Sequence, residues 1–329
     1  MKSLLTTFIA LLVGSYSISQ ITLIPDAAFE GELISLGIDS DGTINGQVFT
    51  DDIDGVTELD LSWIGVEDMT GIEDFVSLTD LNCSFNPYIS SLDVSSLPNL
   101  VELRYAVTSV TEIDLSSNPL LETLDFVDTG TSEIDLSENP NLKVLWALDN
   151  ELTELDLTAN VNLEILGCPE NKITHLDLTL NTSLTEIYCH KNDLIFLKMN
   201  NGSNEIITDF SSTDNPDLEC IMVDDSTFAA DNFIMIDDQS YFSENCYSSV
   251  SELDLQNTVV YPNPAVDMLT IEIDQSASYE VQTINGKTAQ QGLLFTGKNE
   301  LNLAELERGF YIIQIQKGES LHAIKLTLL

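Results

Sequence analysis

Residues 142–162 read L-K-V-L-W-A-L-D-N-E-L-T-E-L-D-L-T-A-N-V-N. The triplet Leu155-Asp156-Leu157 within this stretch belongs to a series with a 21-residue pitch. Its other members are Leu92-Asp93-Val94, Ile113-Asp114-Leu115, Ile134-Asp135-Leu136, Leu176-Asp177-Leu178 and Leu197-Lys198-Met199. A second series keeps the pitch between them: Leu103-x-Tyr105, Leu124-x-Phe126, Leu145-x-Ala147, Leu166-x-Cys168 and Ile187-x-Cys189. A period held this strictly marks a solenoid, in which each coil buries its apolar edge only by stacking on neighbours. Turns of 21 residues leave no room for a full helix between strands, so each coil is expected to run strand, corner, extended segment, corner. Such a stack builds a long surface more readily than a catalytic pocket.

The coil resembles the leucine-rich-repeat pattern L-x-x-L-x-L-x-x-N-x-L, from Leu78 to about Leu218. The Asn of that pattern is present at Asn86, Asn150, Asn171, Asn192 and Asn215, and is replaced by Thr108 and Thr129 in two coils. An inward amide satisfies backbone groups exposed at a turn, and Thr does so less completely, so those two coils are expected to be looser. A further column, Asn118, Asn139, Asn160 and Asn181, marks the second corner. The resemblance implies a mainly β leucine-rich-repeat solenoid that binds through variable outward residues.

Residues 20–77 read as an N-terminal cap, with Leu59-Asp60-Leu61 as a first inward-facing triplet. One short amphipathic helix is expected from Pro25-Asp26-Ala27-Ala28-Phe29, with Phe29, Leu33, Ile34 and Leu36 at helical spacing and Gly37 as its stop. The solenoid with its C-terminal cap occupies 78–247, a linker 248–257, and a last domain 258–329. Alternating Leu269, Ile271 and Ile273, then Tyr279 and Val281, separated by Asn-Gly and Gly turns, suggest a small C-terminal β-sandwich. The ordered set Y-P-N-P-A (from Tyr261), N-G-K (from Asn285), G-F-Y-I-I-Q-I (from Gly309) and a terminal Lys325-Leu326 strand resembles the type A C-terminal sorting domain of the type IX secretion system. That resemblance implies a Bacteroidota-like host, handling by the type IX machinery and delivery to the outer-membrane surface or beyond.

Residues 1–19 read as a secretory signal peptide: Lys2, an apolar stretch from Leu4 to Val13, and small residues two apart before Gln20. The apolar run is too short to span a bilayer, and no later segment is long enough, so no transmembrane segment is expected in the mature chain. The formal charge is -44. From Leu253 onward nine acids face five bases, a net of -4, which leaves -40 in the preceding part. A surface of that sign repels nucleic acid and anionic lipid.

Five cysteines need accounting in an exported chain. Cys220 and Cys246 flank the end of the repeats, and a disulfide between them would stabilise the terminal cap by ~3 kcal/mol. Cys83, Cys168 and Cys189 occupy one inward position of different coils and read as reduced core residues, with a strained Cys168–Cys189 bridge as the alternative.

No catalytic constellation is found. The three histidines, His175, His190 and His322, lack partners at metal-ligand spacing, and no phosphate loop or nucleophile elbow occurs, so the protein is not expected to be an enzyme. Binding is expected on the strand face, where the middle residue of each L-x-Φ points outward: Asn82, Arg104, Asp125, Trp146, Gly167 and Tyr188, with His190 beside them. Trp146 and Tyr188 should face each other across Gly167 at roughly 10 Å, two rungs apart. They would either form a slot for a sugar ring or apolar side chain, or cover themselves by lying on adjacent aliphatic side chains.

Asp93, Asp114, Asp135, Asp156 and Asp177 form a second outward column, read as a solvated face bonding corner amides in preference to a divalent-cation ladder. Asp39-Ser40-Asp41-Gly42-Thr43-Ile44-Asn45 resembles the middle of an EF-hand loop. Asp39, Asp41 and Asn45 are its candidate calcium ligands, but two expected ligand positions fall on Gly37 and Val48, and a tight turn is the preferred reading. The expectation is an exported leucine-rich-repeat protein that binds a protein partner, delivered by its sorting domain. The alternatives are a carbohydrate-binding accessory and a cation-dependent matrix protein or adhesin.

Overall fold

A three-residue strand has one central side chain to bury, and here that residue is nearly always Leu. The computed structural model describes residues 20–246, 259–261, 265–283, 287–306, 308–317 and 320–328. The expected leader (1–19) and linker (248–257) lie outside the described residues. The chain divides into two compact units at Glu244/Asn245.

The first unit carries an eight-stranded parallel sheet, one short strand per coil. Its strands are Glu58–Asp60, Asp80–Asn82, Glu102–Arg104, Thr123–Asp125, Val144–Trp146, Ile165–Gly167, Glu186–Tyr188 and Asp209–Ser211. Each pairs in register with the next, so Leu59, Leu81, Leu103, Leu124, Leu145, Leu166, Ile187 and Phe210 stack as one buried column. Burial of each side chain stabilises the stack by about 2 kcal/mol before entropy is counted. The neighbouring inward column tapers from Tyr105 and Phe126 to Ala147, Cys168 and Cys189, all buried.

Two features depart from the sequence expectation. The ladder begins with Glu58–Asp60, at the Leu59 triplet read as part of the cap and well before Leu78; the first two coils are 22 residues long and fall out of a 21-residue register. The triplets at Leu92, Ile113, Ile134 and Leu155 do not form a ladder. On that side a four-stranded parallel sheet starts only at His175–Asp177 and continues through Phe196–Lys198, Cys220–Met222 and Tyr241–Ser243. Upstream, the coils are tied by side chains instead. The carbonyls of Val94, Leu115, Leu136 and Leu157 accept from Nδ2 of Asn118, Asn139, Asn160 and Asn181, each one coil further on.

In the N-terminal cap, Ile21–Leu23 pairs antiparallel with Gln47–Phe49. The helix Ala27–Ser35 is capped by Asp26, whose Oδ1 accepts from the N–H groups of Ala28 and Phe29. Its Oδ2 accepts from Glu67 and Asp68, which ties the cap to the first coil. Gly37 ends the helix at φ 72°, as its position suggested. The buried face is Phe29, Glu30 and Leu33, whereas Leu36 is 51% exposed, because the helix is over before Leu36 can turn inward. Glu30 is tolerated inside because its carboxylate accepts from the N–H groups of Asn45, Gly46 and Gln47.

The single helix expected is joined by two more, Thr50–Ile53 and Ser226–Asn232. The latter closes the far end of the coils. Asp225 caps it, and Phe233, just beyond its last turn, packs against Phe210 and Phe242. Cys220 and Cys246 are disulfide-bonded, whereas Cys83, Cys168 and Cys189 are buried and free.

The second unit is a sandwich of antiparallel sheets. One holds Val259–Tyr261, Met268–Ile273 and Gly297–Asn302; the other holds Ala277–Thr283, Thr288–Leu294, Gly309–Lys317 and Ser320–Leu328. Leu269 and Ile271 from the first sheet pack with Val281, Ile313, Ile315 and Leu326 from the second. Among the described residues, no helix is long and apolar enough to cross a membrane.

Candidate functional site

Strand pleating and the corner that follows set four outward columns on the eight-stranded face. The strand ends give two: Glu58, Asp80, Glu102, Thr123, Val144, Ile165, Glu186, and Asp60, Asn82, Arg104, Asp125, Trp146, Gly167, Tyr188. Past the inward residue comes a third, Ser62, Ser84, Ala106, Val127, Leu148, Pro169, His190. The fourth is the corner itself, where Trp63, Phe85, Val107, Asp128, Asp149, Glu170, Lys191 and Asp214 all have positive φ, between 53° and 64°.

The bases on this face are each engaged by carboxylates. Arg104 bridges Asp80 (3.3 Å) and Glu102, while Lys143 reaches Glu122 at 2.7 Å and Lys191 reaches Glu170 at 2.7 Å. Exposed pairs of this kind contribute at most about 1 kcal/mol each. Asp125 is different. Its Oδ1 accepts from the Val127 N–H at 3.2 Å, and burial raises its carboxyl above the usual range. The centre of the face is apolar: Val127, Leu148 and Pro169 run beside Val144, Ile165 and the Trp146–Tyr188 pair.

The open slot, one of the two arrangements the sequence left open, is absent. The Trp146 and Tyr188 rings stack at 6.0 Å between centroids and 21° between planes, well inside the roughly 10 Å rung estimate. The Trp146 ring lies over Gly167, where an added Cβ would overlap it, so the glycine vacates room that the indole fills. Tyr188 Oη lies 3.0 Å from Glu186 Oε2 and 2.9 Å from Asp209 Oδ2, and burial together with these carboxylates raises its pKa. His190 neighbours the pair, with Nδ1 buried and without a protein partner.

The second acidic column does what corner geometry asks. Oδ1 of Asp93, Asp114, Asp135, Asp156 and Asp177 accepts from the N–H two residues ahead, at 2.9–3.0 Å. The Ser116 hydroxyl and N–H hold Asp114 below the usual carboxylate range, and the Ser137 N–H and hydroxyl do so for Asp135. A folded pKa below the ordinary 3.8 contributes stability above that pH, and the contribution is lost as pH falls through the folded value. Asp135→Ala should therefore lower the melting temperature at about pH 7 and make little difference at about pH 2. Equal losses at both pH values, measured by calorimetry, would contradict this role.

At the EF-hand-like turn three of the four Asp39 and Asp41 carboxylate oxygens are already engaged. Asp41 Oδ1 accepts from the Thr43 N–H and hydroxyl, and its Oδ2 from Asn45 Nδ2. Asp39 is buried, with Oδ1 on the Asp41 N–H and Oδ2 unpartnered. Among the described residues no group of three His, Cys, Asp or Glu side chains is placed to hold a metal ion. We expect millimolar calcium or a chelator to move the melting temperature by less than about 1 °C, since a ligand that binds the native state stabilises it. A calcium-dependent rise of several degrees would restore the cation reading.

The aromatic pair Trp63–Phe85 was not anticipated from sequence. Their rings stack at 3.9 Å and 12°, and Trp63 is 71% exposed. The signal was present at a 22-residue spacing, in Ser62-Trp63, Ser84-Phe85 and Ala106-Val107.

Residues 259–328 match the family described as the secretion system C-terminal sorting domain. Among solved structures, internalin C2 from Listeria monocytogenes is 21% identical, with a TM-score of 0.56, over 69% of this chain and 99% of that one. The InlJ functional domain from Listeria monocytogenes, which includes a cysteine ladder, is 17% identical, with a TM-score of 0.38, over 94% and 99% of the two chains. A leucine-rich-repeat protein of Leptospira interrogans is 14% identical, with a TM-score of 0.33, over 53% and 62%. No curated protein matches the chain. The chain thus joins a leucine-rich-repeat solenoid to a type IX secretion sorting domain, the composition of an exported surface repeat protein.

Proposed function

We propose that the solenoid is a non-catalytic recognition module that holds a protein partner on its eight-stranded face, in an interaction or adhesion role. The observation that carries this reading is the apolar centre of that face. In a chain of formal charge -44, the half-buried Val127, Leu148, Val144, Ile165, Trp146 and Tyr188 form one apolar patch, with the Arg104, Lys143 and Lys191 ion pairs toward its edges. A patch of this make-up, aromatic at its core and polar at its rim, is how protein interfaces are built. Burial pushes the Cys83 and Cys168 thiols up to about 12, which argues against either as a nucleophile. The filled slot over Gly167 gives the glycan alternative no open seat, and the engaged Asp oxygens lend the cation-dependent alternative no support.

The test is affinity capture of surface-protein extracts by the full chain, in parallel with a glycan array. The Trp146→Ala/Tyr188→Ala double variant should weaken capture of the recovered protein by about 30-fold or more, as for central aromatic anchors. Unchanged affinity would remove the strand face as the site. Glycan capture that depends on Trp146 would move the protein to the carbohydrate-binding class.

A further inference from the structure

The corner residue of each coil is held at positive φ, a conformation that strains every residue with a Cβ, though Asp tolerates it better than most. Three coils meet this demand with Asp, at Asp128, Asp149 and Asp214. The first two use Trp63 (φ 64°) and Phe85 (φ 61°), and the third uses β-branched Val107 (φ 55°). The fold itself therefore does not need aromatic residues at this corner, as the coils with Asp show. Trp63 buries little of itself in return, being 71% exposed with one ring face laid on Phe85. Strain retained with so little intramolecular gain is a mark of a binding position.

The surroundings say what would fit. A shallow groove runs from Trp63 and Phe85 past Val107 and Val127, with Arg104 and Asp125 also lining it. Arg104 is engaged by Asp80 and Glu102, so its charge is more than neutralised. Asp125 makes no ion pair among the described residues. Glu58 and Asp60 are exposed on the same rung as Trp63. An aromatic plate flanked by carboxylates complements a planar cation on an aliphatic stem, and Trp is the strongest such plate. Arginine satisfies this better than lysine because its guanidinium stacks flat.

We infer that the Trp63–Phe85 corner and the groove beside it bind an arginine-rich segment of a partner protein, one guanidinium stacked on Trp63 and a second cation at Asp125. This rests on the recognition reading and names its chemistry; it concerns the corner rather than the Trp146–Tyr188 centre.

The chain has two tryptophans, so Trp146→Phe leaves Trp63 as the sole indole reporter in the full chain. Its emission is titrated with hexa-arginine, hexa-lysine and hexa-glutamine peptides at about 150 mM salt, where diffuse attraction is largely screened. The expected result is a saturable change with hexa-arginine, binding about tenfold weaker with hexa-lysine, and no response to hexa-glutamine. Phe85→Ala and Asp125→Asn should each raise Kd about tenfold. Trp63→Asn, which suits the left-handed corner, should melt close to the parent yet lose labelled hexa-arginine measured by anisotropy. No saturable change at Trp63, equal binding of the lysine and arginine peptides, or retained binding by folded Trp63→Asn would each overturn the proposal. If Trp63 is silent while partner capture still depends on Trp146, only this inference fails and the strand-face reading stands.

Discussion

Asn150→Ala is expected to destabilise the first unit by about 3 kcal/mol, the cost of several buried backbone groups losing their partner at once. Asn150 Oδ1 accepts from the N–H groups of Thr129 (3.2 Å) and Thr131 (3.0 Å) and from the Thr129 hydroxyl (2.9 Å). Its Nδ2 donates to the carbonyls of Phe126 (2.9 Å), Leu148 (3.1 Å) and Ala147 (3.3 Å). Asn171, one coil on, accepts a single N–H, from Leu152. Asn150 carries more because the coil before it has Thr129 in place of Asn and relies on the neighbour's amide. Asn150→Thr should lose about half as much, since Thr108 shows what a hydroxyl retains: a bond to the Tyr105 carbonyl at 2.8 Å. Denaturant midpoints of Asn150→Ala, Asn150→Thr and Asn171→Ala check the order. If Asn171→Ala proves the more damaging, the idea that Asn150 serves two coils is wrong.

Phe126→Ala should cost about 3–5 kcal/mol through lost burial and the cavity left behind. Phe126 is fully buried and stacks on Tyr105 at 6.0 Å and 16°. The next inward residues in its column are Ala147 and Cys168, which are too short to close the gap. In a stack coupled only between neighbours, such a defect weakens one interface more than the rest. We therefore expect the denaturant transition to broaden, with amide exchange around Leu124 and Leu145 rising before that around Ile187. A single sharp transition with uniform exchange would show that coupling in this solenoid extends beyond neighbouring coils. Cys168→Ala, a much smaller truncation in the same column, is the control.

Much of the solenoid was legible because the inward positions repeat. Leu103, Leu124, Leu145, Leu166 and Ile187 stand 21 residues apart, and all five are buried on the parallel ladder. The outward column through Arg104, Asp125, Trp146 and Tyr188 followed from alternation alone, and these side chains are half-buried beside the fully buried central column. A fixed period also misled. The first two coils are one residue longer, so the Leu59 triplet was assigned to the cap rather than to the ladder, and the Trp63–Phe85 pair was passed over. The terminal helix Ser226–Asn232 is too short for a periodic signal, though Asp225 at its start is a recognisable cap. At the acidic turn the missing ligand positions favoured a tight turn over a cation site, and the donors that engage Asp41 come from Thr43 and Asn45 within the same turn.

By itself the sequence determined the coil, its inward columns, the sorting domain and the strongly acidic surface. Each of these depends on residue type at a local spacing, and spacing survives without knowledge of neighbours. The tertiary structure decided what the outward side chains do. Rung spacing places the backbones of Trp146 and Tyr188, but only the missing Cβ of Gly167, one coil along, lets the indole lean across and close the gap. In the same way, Phe85 receives the exposed Trp63 ring, and Asn150 sustains a coil that lacks its own Asn. These outcomes depend on contacts between residues about one coil apart, formed only when the coils stack.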